Sequence, residues 1–504
     1  MAHIDVPPEE VGATDLSGVG TVFRNRNFVY LWSAQALSQL ASNMVLAALM
    51  ATVYASTRSN TAVAFLILTF LIPAVLFSTL GGVLVERSNA RTILLITNIV
   101  RAAGTLAFVI VAPATASANV PLLFAINFVI ATATAFFAPA ELTAIPRIVE
   151  RRHLMAANSI FILTVNATFA IGFGVMGPLV LNVLGPVAVY VIVAVMFGAA
   201  AVAVIPLPAV KPDRAVAAAG VAGRAIKELA GQLAEGLRFI RTHRSTAWSL
   251  TYLAVASSLI GVLGAIGPGY AEEILRLTPE DFFFIMGPAG LGAVVGILFL
   301  NSYGKGIPKR LIIDIGLVAM GITLIAMALV RPITLAFGPA VQPLEDAIPS
   351  LAPLTSLIAM VVVIAVFAGL EYAFVAIPSQ TALQEELPSE VRGRIFGILN
   401  TLLSLASFAP VIAAPAVADV INIFFPGAGI PVVMAFLGLV TLGAGIASWR
   451  RNARAGLHGH DRVELPPTAA LDDVAAPGAP HEADPSGERS HRRRRRSRQS
   501  SDGD

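Results

Sequence analysis

Twelve apolar runs, most of them close to twenty residues long, leave this chain very few ways to fold. They are read as spans over about Phe28–Ala55, Ala62–Leu84, Thr92–Val111, Val120–Ala138, Ala156–Val183 and Pro186–Ile205. After a polar stretch they resume at Ala247–Ala271, Phe282–Leu300, Leu311–Val330, Leu354–Ile377, Ile395–Ile423 and Pro431–Trp449. A helix of about 20 residues is about 30 Å long, the thickness of a bilayer's hydrocarbon core. Charged residues make up only 13% of the 504, where a soluble globular chain carries about 25%. The chain is therefore expected to be an all-α polytopic membrane protein with twelve transmembrane helices.

The order of polar and apolar stretches divides it. Residues 1–23 are a polar, mobile N-terminus, and residues 24–206 hold six spans. Residues 207–245 form a linker in which Arg224–Arg244 reads as an amphipathic helix, with Ile226, Leu229, Leu233, Leu237 and Ile240 at three- and four-residue spacing. Residues 246–450 hold the other six spans, and 451–504 are a tail whose composition does not fold alone. The N-terminus lacks the basic-then-apolar pattern of a cleaved signal peptide, so the first span is expected to stay. Orientation follows from lysine and arginine. With the N-terminus cytoplasmic, 22 of them fall on inner segments and 3, Arg58, Arg276 and Arg331, on outer ones. Both termini are then cytoplasmic, in the cell's inner membrane.

With no cysteine, disulfides and thiolate metal sites are excluded. The seven histidines have no metal-ligand spacing. No nucleophile–base pair or phosphate loop is visible, so neither an enzyme nor a cofactor is expected. The run Arg492–Arg496 attracts anionic lipid rather than nucleic acid, being tethered to a membrane.

The turn Gly81–Arg91, GGVLVERSNAR, resembles the loop between helices 2 and 3 of the major facilitator superfamily. That loop reads Gly, three residues, Asp, Arg, any residue, Gly, Arg, and Arg or Lys. Gly82, Glu86, Arg87 and Arg91 match in kind, while Asn89 and Ala90 replace the second glycine and an arginine. Three further stretches, FVYLWSAQ in span 1, AIPRIVERRHLMAANSI after span 4 and LQEELPSEVRGRIFG after span 10, resemble the bacterial exporters related to enterobactin and macrolide efflux proteins. Together these matches cover about residues 24–450. The resemblance implies two six-helix bundles with pseudo-two-fold symmetry around a central cavity, rocking to open it to either side in turn. It also implies a monomeric, secondary active, proton-coupled antiporter that exports a small amphipathic compound such as a drug, siderophore or lipid-like metabolite. The rivals are a lipid flippase or importer of the same fold, and a membrane scaffold or sensor without turnover.

A rocking transporter needs contacts that hold one state and break in the other. Glu86, Arg87 and Arg91 can serve as such a latch, pairing with Glu141 or the opposite bundle, or can merely enforce topology. In the equivalent loop of the second half, NSYGKGIPKR, Lys305 stands where an acid would be. In span 5, Gly172, Gly174, Gly177 and Pro178 resemble the Gly-Pro motif of antiporters, and serve either close packing or gating.

Ionisable residues at membrane depth are costly, so each is a functional candidate. Arg101, halfway along span 3, either pairs with a neighbouring helix or faces the substrate path. Glu371 in span 10 is the first choice for proton coupling; its alternative is a hydrogen-bonded structural acid. Asp314 and Asp419 read as end-of-helix charges. Gln35, Gln39 and Asn43 form one polar stripe on span 1, and Asn127, Asn166 and Asn400 are further cavity candidates. Phe136, Phe137, Phe169 and Phe173 are either apolar cavity walls or plain helix packing.

Overall fold

The computed structural model describes residues 17–111, 119–209, 231, 234, 236–238, 240–242, 244–336, 356–385 and 392–456. Its helices are α1 (Ser17–Phe23), α2 (Arg26–Thr57), α3 (Asn60–Arg87), α4 (Ala90–Val111), α5 (Val120–Ile148), α6 (Leu154–Thr168) and α7 (Gly177–Val204). In the second half they are α8 (Arg244–Glu273), α9 (Phe283–Tyr303), α10 (Lys309–Ala328), α11 (Leu357–Glu385), α12 (Arg392–Phe424) and α13 (Gly429–Arg454). Among the described residues there is no strand.

Eleven helical runs among these residues are long and apolar enough to cross a membrane. One of them, Ala156–Val204, has 49 residues. Straight, it would be about 74 Å long, more than twice the hydrocarbon thickness. It breaks at Gly185, whose φ of 80° and ψ of 172° no helix contains, and Pro186 starts a fresh helix behind it. The crossings are therefore twelve, as the sequence predicts. An even number returns the chain to its starting side. The side carrying Ser17 and Arg454 is called the terminal end below, and the other the far end.

Each half packs on itself. In the first, α2 lies on α7, and α3 and α4 both pack on α5. In the second, α9 and α10 flank α11, α13 covers α10, and α8 lies on α11 and α12. Between helices in lipid no hydrophobic force operates, so closeness decides. The α9–α11 contact shows how: a Cβ on Gly292 would overlap the carbonyl oxygen of Val366, and one on Gly369 that of Ala289. Gly369→Ala is expected to cost about 3 kcal/mol by overpacking. Thermal unfolding of the purified protein would read this as a clear fall in midpoint, and an unchanged midpoint would refute the backbone contact.

The two halves share a backbone detail after their first spans. Among the described residues the non-glycine positions with positive φ are Arg58 (52°) and Arg276 (62°). One follows the first helix of the first bundle, and the other follows the first helix of the second. Of the linker helix, residues 231, 234, 236–238 and 240–242 are helical. Ile240 packs beside Leu250, Leu383 and Leu399, while Leu237 is exposed. Ile226, Leu229 and Leu233, the N-terminal residues 1–16 and the tail from 457 onward lie outside the described residues.

Candidate functional site

A helix begins with N–H groups that have no partner within it. At the start of α3 each can be traced. Ser59 sits at the cap, and its own N–H donates to the Thr57 hydroxyl at 3.3 Å. The Ala62 N–H donates to the Ser59 side chain at 3.2 Å. The two N–H groups between them go to a residue 359 positions away: Asn60 N donates to Asp419 Oδ1 at 3.1 Å, and Thr61 N to Asp419 Oδ2 at 2.8 Å. The Ser59 and Thr61 hydroxyls (both 2.7 Å) and the Asn60 amide (2.9 Å) donate to the same carboxylate. Asp419 lies on α12, in the other bundle. The start of a helix in one half is thus capped by an acid from the other, at the point where the helix dipole favours negative charge.

More contacts surround this cap. Tyr54 donates to Glu273 at 3.0 Å, and the Asn422 amide donates to the same carboxylate. Arg58, held in its left-handed conformation at the end of α2, pairs with Glu272. Spans 5 and 8 meet in the pseudo-equivalent place, where Asn182 donates to Asp281 at 2.6 Å. Below that bond span 5 is π-helical over Phe169–Met176, a form that recurs at functional sites. Ideal Cβ atoms on Gly174 and Gly287 would each lie 3.1 Å from a backbone oxygen of the opposite helix, so spans 5 and 8 touch through backbone. Gly172 and Gly177 instead face α2, against Asn43 and Ala47, and Pro178 is buried with them. The glycine-rich stretch therefore serves both close packing inside its bundle and contact between bundles.

The hydrogen bonds and ion pairs just given join the two bundles at the far end. The loop expected to act as a latch lies at the terminal end. Gly82, Glu86 and Arg87 form the last turns of α3, with side chains outside the described residues. Arg91 is half-buried, its N–H donating to the Asn89 side chain. In the equivalent loop of the second bundle Lys309 pairs with Glu385, the end of α11. The Lys305 side chain lies outside the described residues.

Within the first bundle Arg101 is fully buried. Its Nη2 donates to Asn98 at 2.8 Å, and Ser38 donates to the same Asn98 oxygen at 2.7 Å. The guanidinium sits between the rings of Phe137 and Phe197, 4.5 and 4.9 Å from their centres. Glu141 on α5 is its electrostatic partner. These surroundings, Asn98, Phe137 and Phe197, come from its own bundle. Glu141 thus faces inward to Arg101. Gln35 is buried, and Gln39 and Asn43 are half-buried, so the stripe faces protein. Asn127 donates to Thr69 at 2.8 Å and ties α5 to α3. Asn166 is exposed on α6, and the Asn400 side chain lies outside the described residues.

The phenylalanines divide by role. Phe137 covers Arg101, Phe169 stacks on Phe173, and Phe173 meets Phe282 across the bundle contact. Phe136, with Phe77 and Phe128, lines an apolar groove between α3, α4 and α5.

Glu371 is buried on α11, facing α10. One oxygen accepts from Thr323 at 2.8 Å, and the other has no partner. Among the described ion pairs none includes it. Asp314, fully buried, accepts from Ser448 (2.6 Å) and Asn452 (2.9 Å) and fastens α10 to α13.

Asp419, Glu272 and Glu273 join the two bundles without having been singled out from the sequence. In the sequence, Asp419 reads as an end-of-helix charge. The available signal was Ser59-Asn60-Thr61, three capping residues in a row, more than one helix start can use.

Residues 31–410 match the family model described as Major Facilitator Superfamily. An uncharacterised MFS-type transporter, YkuC, of Bacillus subtilis (strain 168), is 28% identical over 158 residues, 30% of this chain. The match spans 36% of that relative's length. The nucleoside transporter NupG superposes with a TM-score of 0.60 at 13% identity, covering 84% of this chain and 99% of its own. The POT family transporter PepTSo does so with a TM-score of 0.60 at 14%, covering 87% and 99%. A bacterial homologue of the human lysosomal transporter Spinster follows at 0.58 and 13%, covering 86% and 97%. A dozen membrane crossings in two repeated bundles, and a family match over three-quarters of the chain, agree: this protein belongs to the major facilitator superfamily, a family of membrane transporters rather than enzymes.

Proposed function

We propose that the chain is a proton-coupled exporter of a small amphipathic compound, working by rocking of its two bundles. The observation that carries this reading is the polar cluster around Asp419 that fastens the two bundles at the far end. A rocking carrier needs contacts between its bundles that form in one state and break in the other. With the terminal end in the cytoplasm, as the lysine and arginine bias indicates, the fastened far end faces outward. The motifs shared with enterobactin- and macrolide-type exporters support export and an amphipathic cargo.

Coupling is assigned to Glu371. Asn43 is an amide where related exporters carry an aspartate, and an amide cannot carry a proton. A buried carboxylate with one hydrogen bond and one free oxygen can take up a proton without breaking a pair. Arg101 is held among Asn98, Phe137 and Phe197, so that cluster is assigned a bracing role.

The test is reconstitution into liposomes with an acidic lumen and a panel of amphipathic compounds outside. Accumulation that collapses on adding a protonophore is expected for at least one of them. Equilibration without accumulation, unchanged by the protonophore, would contradict coupling.

A further inference from the structure

The last two turns of α13 carry Arg450, Arg451 and Arg454 on one side. With Ala447 and Ala455 they line a cleft of about 600 Å³ in which no acid stands among the described residues. Helix cations near a C-terminus offset its dipole, and one or two would suffice. Three guanidiniums within five residues also repel one another.

One of the three is held in place. The Arg451 guanidinium carbon lies 3.5 Å from the centre of the Trp248 ring, and its Nη2 donates to Tyr252 at 3.1 Å. The Tyr252 hydroxyl is 2.6 Å from that of Ser448, which donates to buried Asp314. Three helices, α8, α10 and α13, therefore fix the position of this cation. Arg450 and Arg454 are exposed beside it.

The location narrows the ligand. The last candidate span ends at Arg454, and the seventh begins at Ala247, next to Trp248. Trp248 is 43% exposed. Half-exposed tryptophan and arginine at a span end mark the headgroup level of a bilayer. On the same helix, Leu439 (61% exposed) and Val440 (53%) present an apolar flank leading up to the cleft. We propose that the cleft binds the phosphate of an anionic glycerophospholipid, whose acyl chains lie along that flank. Arg451 is the preset contact, and Arg450 and Arg454 close on the phosphate, since a guanidinium fork matches phosphate oxygens.

Full-length protein is titrated with phosphatidylglycerol or phosphatidylcholine, and bound lipid is counted by native mass spectrometry. Phosphatidylglycerol is expected to bind in preference. The double variant Arg450→Gln/Arg454→Gln is expected to weaken it about thirtyfold, from the usual contribution of two such residues near a membrane surface. Phosphatidylcholine binding should not change. Arg24→Gln/Arg26→Gln removes the same charge from exposed positions at the same end, and should leave phosphatidylglycerol binding near its original value. Trp248→Ala frees Arg451 and should weaken it again. Equal loss in the two arginine pairs would overturn the proposal, because net charge alone would then explain binding. Displacement of the lipid by millimolar inorganic phosphate would overturn it too, by making free phosphate the ligand.

Discussion

Asp419→Ala shifts the protein about a hundredfold toward a form open at the far end. The reasoning starts from the two backbone N–H groups of α3 that this carboxylate accepts across the bundle contact. Hydrogen bonds to a charged group are each worth about 1.5–3 kcal/mol net, so losing these two alone removes about 3 kcal/mol from the closed state. The open state loses little, since water can cap the same N–H groups there. A factor of ten in population corresponds to about 1.4 kcal/mol, which gives the stated shift. Asp419→Asn keeps one acceptor oxygen without the charge, and should fall between. The chain has no cysteine, so a single introduced one reports cleanly. Ala271 belongs to the second bundle but is fully buried among first-bundle residues. Ala271→Cys should be nearly unreactive to a polar maleimide in the parent, and reactive once Asp419→Ala is added. Equal reactivity in both backgrounds would remove Asp419 from the latch.

Glu371→Gln is expected to abolish accumulation driven by a pH gradient while leaving folding and downhill exchange in place. Glutamine keeps an oxygen to accept from Thr323, so the α10–α11 contact survives. What disappears is a buried carboxylate able to gain and lose a proton. Retained accumulation with Glu371→Gln would move coupling to another acid. The same assay on Glu141→Gln separates the two. That change strands buried Arg101 without its counter-charge, and should lower the unfolding temperature rather than uncouple transport.

The fold was legible because each crossing is set by local composition. Even the crossing that fuses into its neighbour, at Gly185 and Pro186, carries its break in two adjacent residues. Partner choice was not legible. Arg101 was recognisable as a buried cation, yet nothing in span 3 names Phe137, Phe197 or Glu141 as its surroundings. Asp419 looked like a helix-end charge because its partners are 358 to 360 positions away. A cap supplied from the other bundle leaves no periodic trace in either segment. The glycines of span 5 show the same limit: their spacing announces close approach, but not that Gly172 meets α2 while Gly174 meets α9.

The most direct test of rocking pairs two distances in one protein. Spin labels at Ala55 and Phe424 report the far end of the two bundles, and labels at Arg24 and Ala453 the terminal end. Adding a transported compound to the deprotonated carrier is predicted to lengthen the first distance and shorten the second together. Two distances that stay fixed, or move in the same direction, would contradict the account.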